Sequence, residues 1–130
     1  REVDLLVIGS GPAGQRAAIQ GSKLGKSVVI VEKRRELGGI CANIGTIPSK
    51  TLREAIIFFT GYRERNIYGR SFQIKEKITF DDLRQRVDHV VKHEVEVARD
   101  RLTRTGVEII YGTASFIDPH TIRVKQDHSE

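Results

Sequence analysis

The sequence contains no methionine and no tryptophan, 1 cysteine, and only 3 prolines in 130 residues. With no methionine present, the initiator is expected to have been removed or to lie upstream. A lone cysteine cannot form an internal disulfide, which removes the disulfide-stapled secreted scaffolds from consideration. No run reaches the ~18 apolar residues of a membrane-crossing helix, and no apolar segment follows a basic leader as in a secretory signal. The cytoplasm is therefore the expected compartment. Aromatic residues make up only 6%, too few for a surface on which bases stack. The 22 basic residues exceed 17 acids, for a net charge of +5 and a pI near 9.6. They are scattered among the acids rather than gathered into a patch. An anionic cofactor or an ordinary solvated surface accounts for them, and neither nucleic acid nor membrane is an expected partner.

What is present is 38% hydrophobic residues, 30% charged residues and 12 glycines. That composition suits one globular domain with one core, and no repeat or low-complexity segment interrupts it. Residues 3–8 form a short β-favouring apolar run of the kind buried in a parallel sheet. A glycine turn follows, and then Ala13, Ala17, Ala18, Ile19 and Leu24 supply the apolar face of a helix ending at Gly25. Residues 27–31 read as a second buried strand, closed by Glu32. Pro48 suits a first helical position and predicts a helix from there to residue 59 or 63. Residues 66–77 read as loop. Thr79 and Asp82 resemble a capping box, and Leu83, Val87, Val91, Val95, Ala98 and Leu102 carry a long helix to Thr105. Residues 107–111 form another strand, and residues 114–124 a hairpin around Asp118, Pro119 and His120. The last residues, 125–130, are a polar tail. The fold class expected is α/β: a Rossmann-like domain with a parallel sheet, a helical insertion and the start of a β-meander.

The turn is Gly9-Ser10-Gly11-Pro12-Ala13-Gly14. Between a strand and a helix this spacing is the dinucleotide-binding pattern. Gly9 allows the tight turn, Gly11 lets backbone approach a pyrophosphate, and Gly14 lets helix and strand pack closely. The helix N-terminus then faces the diphosphate charge. Glu32, at the end of the next strand, completes the pattern. Its carboxylate would accept hydrogen bonds from the ribose hydroxyls and repel a 2′-phosphate, so NADP is disfavoured here. The following Lys33, Arg34 and Arg35 read as a solvated basic turn. Either FAD or NAD fits this much.

Residues 38–50, GGICANIGTIPSK, narrow the choice. A second glycine pair, Gly38 and Gly39, precedes Cys41, and a helix start with Lys50 follows. The helix N-terminus and the lysine together stabilise negative charge on a reduced, electron-rich ring.

In this stretch the chain resembles the flavoprotein disulfide reductases, the family of lipoamide dehydrogenase, glutathione reductase and mercuric reductase. Members carry CxxxxC followed by xPSK, where the first cysteine exchanges with a disulfide and the second contacts the flavin. Here Cys41 and Ile47-Pro48-Ser49-Lys50 are kept, but Thr46 stands in the place of the second cysteine. A thiol–disulfide relay needs a second sulfur to resolve the mixed disulfide, and threonine has none. GTIPSKTLREA and the later GTASFIDPHTI are similar to the soluble pyridine nucleotide transhydrogenase branch, in which FAD passes hydride between NADPH and NAD. The resemblance implies FAD as cofactor and NAD and NADP as substrates. It also implies that residues 1–130 are the N-terminal part of an FAD-binding domain. The nicotinamide-binding and dimerisation domains would be absent, the full-length protein a homo-oligomer through its C-terminal domain, and the isolated fragment inactive.

By position, the resemblance places Gly9, Gly11, Pro12, Ala13 and Gly14 at the FAD diphosphate and Glu32 and Lys33 on the adenosine side. Gly38, Gly39, Cys41 and Thr46 would line the flavin approach, Lys50 would stand beside its reactive nitrogen, and Gly112, Thr113 and Ala114 would meet adenine. Cys41, Thr46 and Lys50 are the catalytic candidates. Cys41 has a plainer reading as a small buried hydrophobe. His89 and His93 are spaced as a metal pair could be, but they share a helix face with charged residues and read as solvated, so no metal is expected. Two alternatives stay open: another NAD(P)H-dependent flavoprotein reductase lacking the second redox cysteine, or a nucleotide-binding module without catalysis.

Overall fold

The computed structural model describes residues 1–126; residues 127–130, the end of the polar tail with His128, lie outside the described residues. Leu5–Ile8 is strand β1. The glycine turn hands it to helix α1, Pro12–Lys23, with Pro12 in the first turn, where a missing N–H costs nothing. Strand β2, Val28–Glu32, follows, and its five residues are all buried. Two helices come next in the insertion: the short α2, Gly39–Asn43, and α3, Thr46–Phe59. After α4, Arg65–Tyr68, the long helix α5 spans Phe80–Arg104. Strand β3, Glu108–Tyr111, and the hairpin of β4, Thr113–Asp118, with β5, Thr121–Lys125, complete the chain.

The three strands β1, β2 and β3 form a parallel sheet with β2 in the centre. Val7, Ile30 and Ile109 stand level across it. The central place explains why β2 is buried throughout while β1 and β3 are only half covered. One sheet face carries the core, where Val28 and Ile30 meet Ala18 of α1, Ala98 and Leu102 of α5, and Leu37 and Val107 from the connections. Ser22 donates its hydroxyl to the Thr105 carbonyl, tying the C-terminal ends of α1 and α5 together. Among the described residues no helix is long and apolar enough to cross a membrane.

The strand–turn–helix–strand unit, the long helix and the hairpin lie where the sequence predicts them, in an α/β fold. Thr79 caps α5 by accepting from Asp82 N–H, and the Asp82 carboxylate returns the bond to Thr79 N–H at 2.9 Å. Three expectations are corrected, and one helix is added that the sequence reading did not assign. Helix α3 begins at Thr46 rather than Pro48, with Gly45 as its cap; the proline takes the third position, still inside the turn whose N–H groups lack helical partners. Helix α2 occupies Gly39–Asn43, too short for periodicity to reveal. Helix α4 interrupts the segment read as loop. On α1, Ala18 is buried and Ile19 half-buried, but Ala13, Ala17 and Leu24 are exposed, so its covered stripe is narrower than its apolar content.

Candidate functional site

The glycine turn leaves the C-terminal end of β1 with Gly9 at φ +93°, a left-handed value that disfavours any other residue. Gly14 then meets the strand end so closely that no side chain fits, whereas a Cβ on Gly11 would point into open space. Helix α1 has no side-chain cap and no acidic residue in its first turn. Its positive end therefore faces that space without an anion from its own first turn. The second glycine pair lies against the first turn. A Cβ on Gly39 would stand 3.0 Å from Gly11 Cα, and Gly38 takes φ +103°.

Glu32 closes the site from the end of β2 and is buried. Its Oε2 accepts from Ser10 N–H at 2.8 Å and from the Ser10 hydroxyl, and its Oε1 accepts from Arg34 N–H at 2.9 Å. Burial pushes the Glu32 carboxyl up. The N–H donors of Arg34, Ser10 and Lys33 and the Ser10 hydroxyl outweigh that and hold it below the ordinary carboxylate value. A buried anion is thus held beside an uncapped helix N-terminus. Gly112 N–H donates to the Glu32 carbonyl at 2.8 Å, which brings the start of β4 to the same end of the sheet. Gly9, Gly11, Pro12, Ala13, Gly14, Glu32, Gly38, Gly39 and Gly112 accordingly gather at one end of the parallel sheet. Thr113 and Ala114 follow directly on β4, and Lys33, next after Glu32, is exposed.

The three catalytic candidates are distributed differently. Cys41, on α2, lines a groove of about 600 Å³ that runs from Pro12 and Gly38 between α1 and α5, with Arg16, Arg101 and Glu94 along it. Lys50, on α3, lines a separate cavity of about 690 Å³ against α5, with Phe58, Arg63 and Arg86. Thr46 is exposed at the first helical position of α3 and lines neither. His89 and His93 are exposed on α5.

Sequence reasoning missed Ser10. It occupies a position the dinucleotide pattern leaves free, and it is wholly buried. Its partners lie 22 and 28 residues away, at Glu32 and Gly38. The available signal was a serine between two glycines at a strand end, where a buried hydroxyl needs a partner.

The residues present fit a dinucleotide. The side of Gly11 where a Cβ would stand is open space, the helix end supplies donors, and Glu32 supplies an anion. A family model described as "FAD dependent oxidoreductase" matches residues 4–127. The chain is 57% identical over 125 residues to a protein named soluble pyridine nucleotide transhydrogenase from Mycobacterium bovis (strain BCG / Pasteur 1173P2), covering 96% of this chain and 27% of that relative. It is 37% identical over 123 residues to a protein of that name from Colwellia psychrerythraea, covering 95% and 26%. To one from Azotobacter vinelandii it is 36% identical over 121 residues, covering 93% and 26%. The chain thus spans about a quarter of the length of these relatives.

Proposed function

The chain belongs to the FAD dependent oxidoreductase family, and from that premise we propose that it is the N-terminal part of an FAD-binding domain in a soluble transhydrogenase. In this reading hydride passes between NADPH and NAD in the cytoplasm, in the Si-specific manner. The nicotinamide-binding and dimerisation parts lie outside these 130 residues, and the 130 residues alone do not turn over. FAD, when bound, supplies the ring that carries hydride.

The protein's own residues bind and orient. The first-turn amides of α1 meet the diphosphate over the open face of Gly11. Glu32, kept anionic by Ser10 and Arg34, receives the ribose hydroxyls, and the backbone of Gly112, Thr113 and Ala114 meets adenine. Residues 38–50 lead from this cradle toward the ring, with Thr46 where a second sulfur would be needed for disulfide exchange.

The observation that carries the proposal is the conjunction of an open Gly11 with a buried, hydrogen-bonded Glu32 at one sheet end. Its test is FAD loading and rapid reduction of the gene's full product by NADPH, followed by an NAD analogue. The expected result is bleaching and recovery of the flavin band with no long-wavelength thiolate–flavin absorbance. Reduction of small disulfides at a rate matching NADPH oxidation would overturn it.

A further inference from the structure

Ser10 is 0% exposed and stands where three segments of the nucleotide cradle converge. Both its hydroxyl and its N–H donate to Glu32 Oε2. Its Oγ accepts from Gly38 N–H at 3.1 Å, and its carbonyl accepts from the same N–H at 3.1 Å and from Gln15 Nε2 at 2.8 Å. A side chain without exposure cannot itself touch a ligand. Glu32, at 7% exposed, keeps a small accessible edge. Ser10 therefore acts on recognition through the groups it holds, and of these Glu32 is the charged one.

We propose that Ser10 is the positioning residue for Glu32, fixing the plane of its carboxylate so that the ribose diol of an adenine nucleotide meets it in one orientation. The inference rests on the nucleotide-binding reading above. The last torsion of a glutamate is soft and roughly two-fold, so burial alone does not orient the carboxylate. Two donors from one residue onto Oε2 and Arg34 N–H onto Oε1 do orient it. Holding the acceptor still before the ligand arrives removes an ordering cost from binding. The second turn does not depend on the hydroxyl alone, because Gly38 N–H retains the Ser10 carbonyl when Oγ is removed. Ser10→Ala thus removes the hydroxyl's bond to Glu32, leaves Ser10 N–H on Oε2, and leaves Gly38 N–H one of its two acceptors.

The experiment is calorimetric titration of wild type and Ser10→Ala with ADP and with 2′-deoxy-ADP. Wild type should prefer ADP by about tenfold, the scale of one hydrogen bond to a charged acceptor. In Ser10→Ala the preference should fall to about threefold or less, with 2′-deoxy-ADP affinity held within about twofold. If Ser10→Ala does not fold, Ser10→Cys, close in shape with a weak S–H donor, carries the same expectation. An unchanged preference, or an equal loss for both nucleotides, overturns the positioning role. A wild type indifferent to the 2′-hydroxyl removes the ribose assignment of Glu32, and the proposal with it.

Discussion

Gly14 approaches the Gly9 carbonyl so closely that a Cβ built on it would stand 2.0 Å from the Gly9 oxygen, with Val7 Cγ1 at 3.2 Å. Helix α1 is seated on the end of β1 by this contact. Nothing at the contact is a flexible side-chain tip that could give way to a methyl group. Gly14→Ala should therefore cost about 3 kcal/mol or more, at the upper end of overpacking penalties, because backbone must move. Urea unfolding followed by circular dichroism measures it. A midpoint equal to wild type would show that the helix can lift without loss.

Gly11→Ala provides the contrast. No atom lies within 4 Å of its added Cβ, so stability should change by less than about 1 kcal/mol. Nucleotide binding should nevertheless fall steeply, since the methyl group enters the space assigned to the diphosphate. Paired FAD titration and urea unfolding separate the two effects. Retained affinity in Gly11→Ala would move the diphosphate away from this turn.

Glu32 carries a pH signature. Its folded carboxyl lies below the ordinary value of 4.5, so the stability it contributes is present above about that pH and is lost as pH falls through the lower folded value. The stability gap between wild type and Glu32→Gln should accordingly hold at neutral pH and shrink as pH falls below about 4.5. At neutral pH, Glu32→Ala should weaken FAD binding by about 1.5–3 kcal/mol, the range for hydrogen bonds to a charged group. A gap that widens on acidification would contradict the depressed carboxyl.

At the start of α5, Asp82 is held down to about 2 by Lys75 Nζ at 2.6 Å and by the N–H and hydroxyl of Thr79. The capping box is therefore intact above about pH 3.8 and opens as pH falls toward 2. Lys75→Ala should raise the Asp82 midpoint, read from its side-chain carbonyl shift by nuclear magnetic resonance. An unmoved midpoint would assign the depression to Thr79 alone.

The thiol and the threonine make the last pair. With Thr46 unable to form a disulfide with Cys41, Cys41→Ser should keep most nicotinamide-to-nicotinamide turnover in the gene's full product. Thr46→Cys should introduce a long-wavelength thiolate–flavin absorbance on reduction. Stopped-flow spectroscopy under NADPH reads both. Loss of turnover in Cys41→Ser with FAD still bound would make the lone sulfur catalytic.

Local patterns determined the parts of this protein that sequence reading reaches. A strand run, three glycines at fixed spacing and an acid at the next strand end define β1, α1, β2 and Glu32, because each of those constraints acts within a few residues. The capping box at Thr79 and the apolar repeat from Leu83 to Leu102 define α5 for the same reason. Tertiary structure alone decided what lies between them. Helix α2 is a single short turn held by Gly38 and by Asn43 Nδ2 on the Leu37 and Gly39 carbonyls, with no periodicity to announce it. Cys41 and Lys50, close in sequence, line different cavities because Gly45 breaks the chain between two helices that α5 packs against separately. Ser10 owes its role to partners on β2 and on the second glycine turn, which become its neighbours only when the parallel sheet forms. Hydrogen bonding across such separations depends on where the chain returns, and that is a property of the packed core rather than of any short stretch of residues.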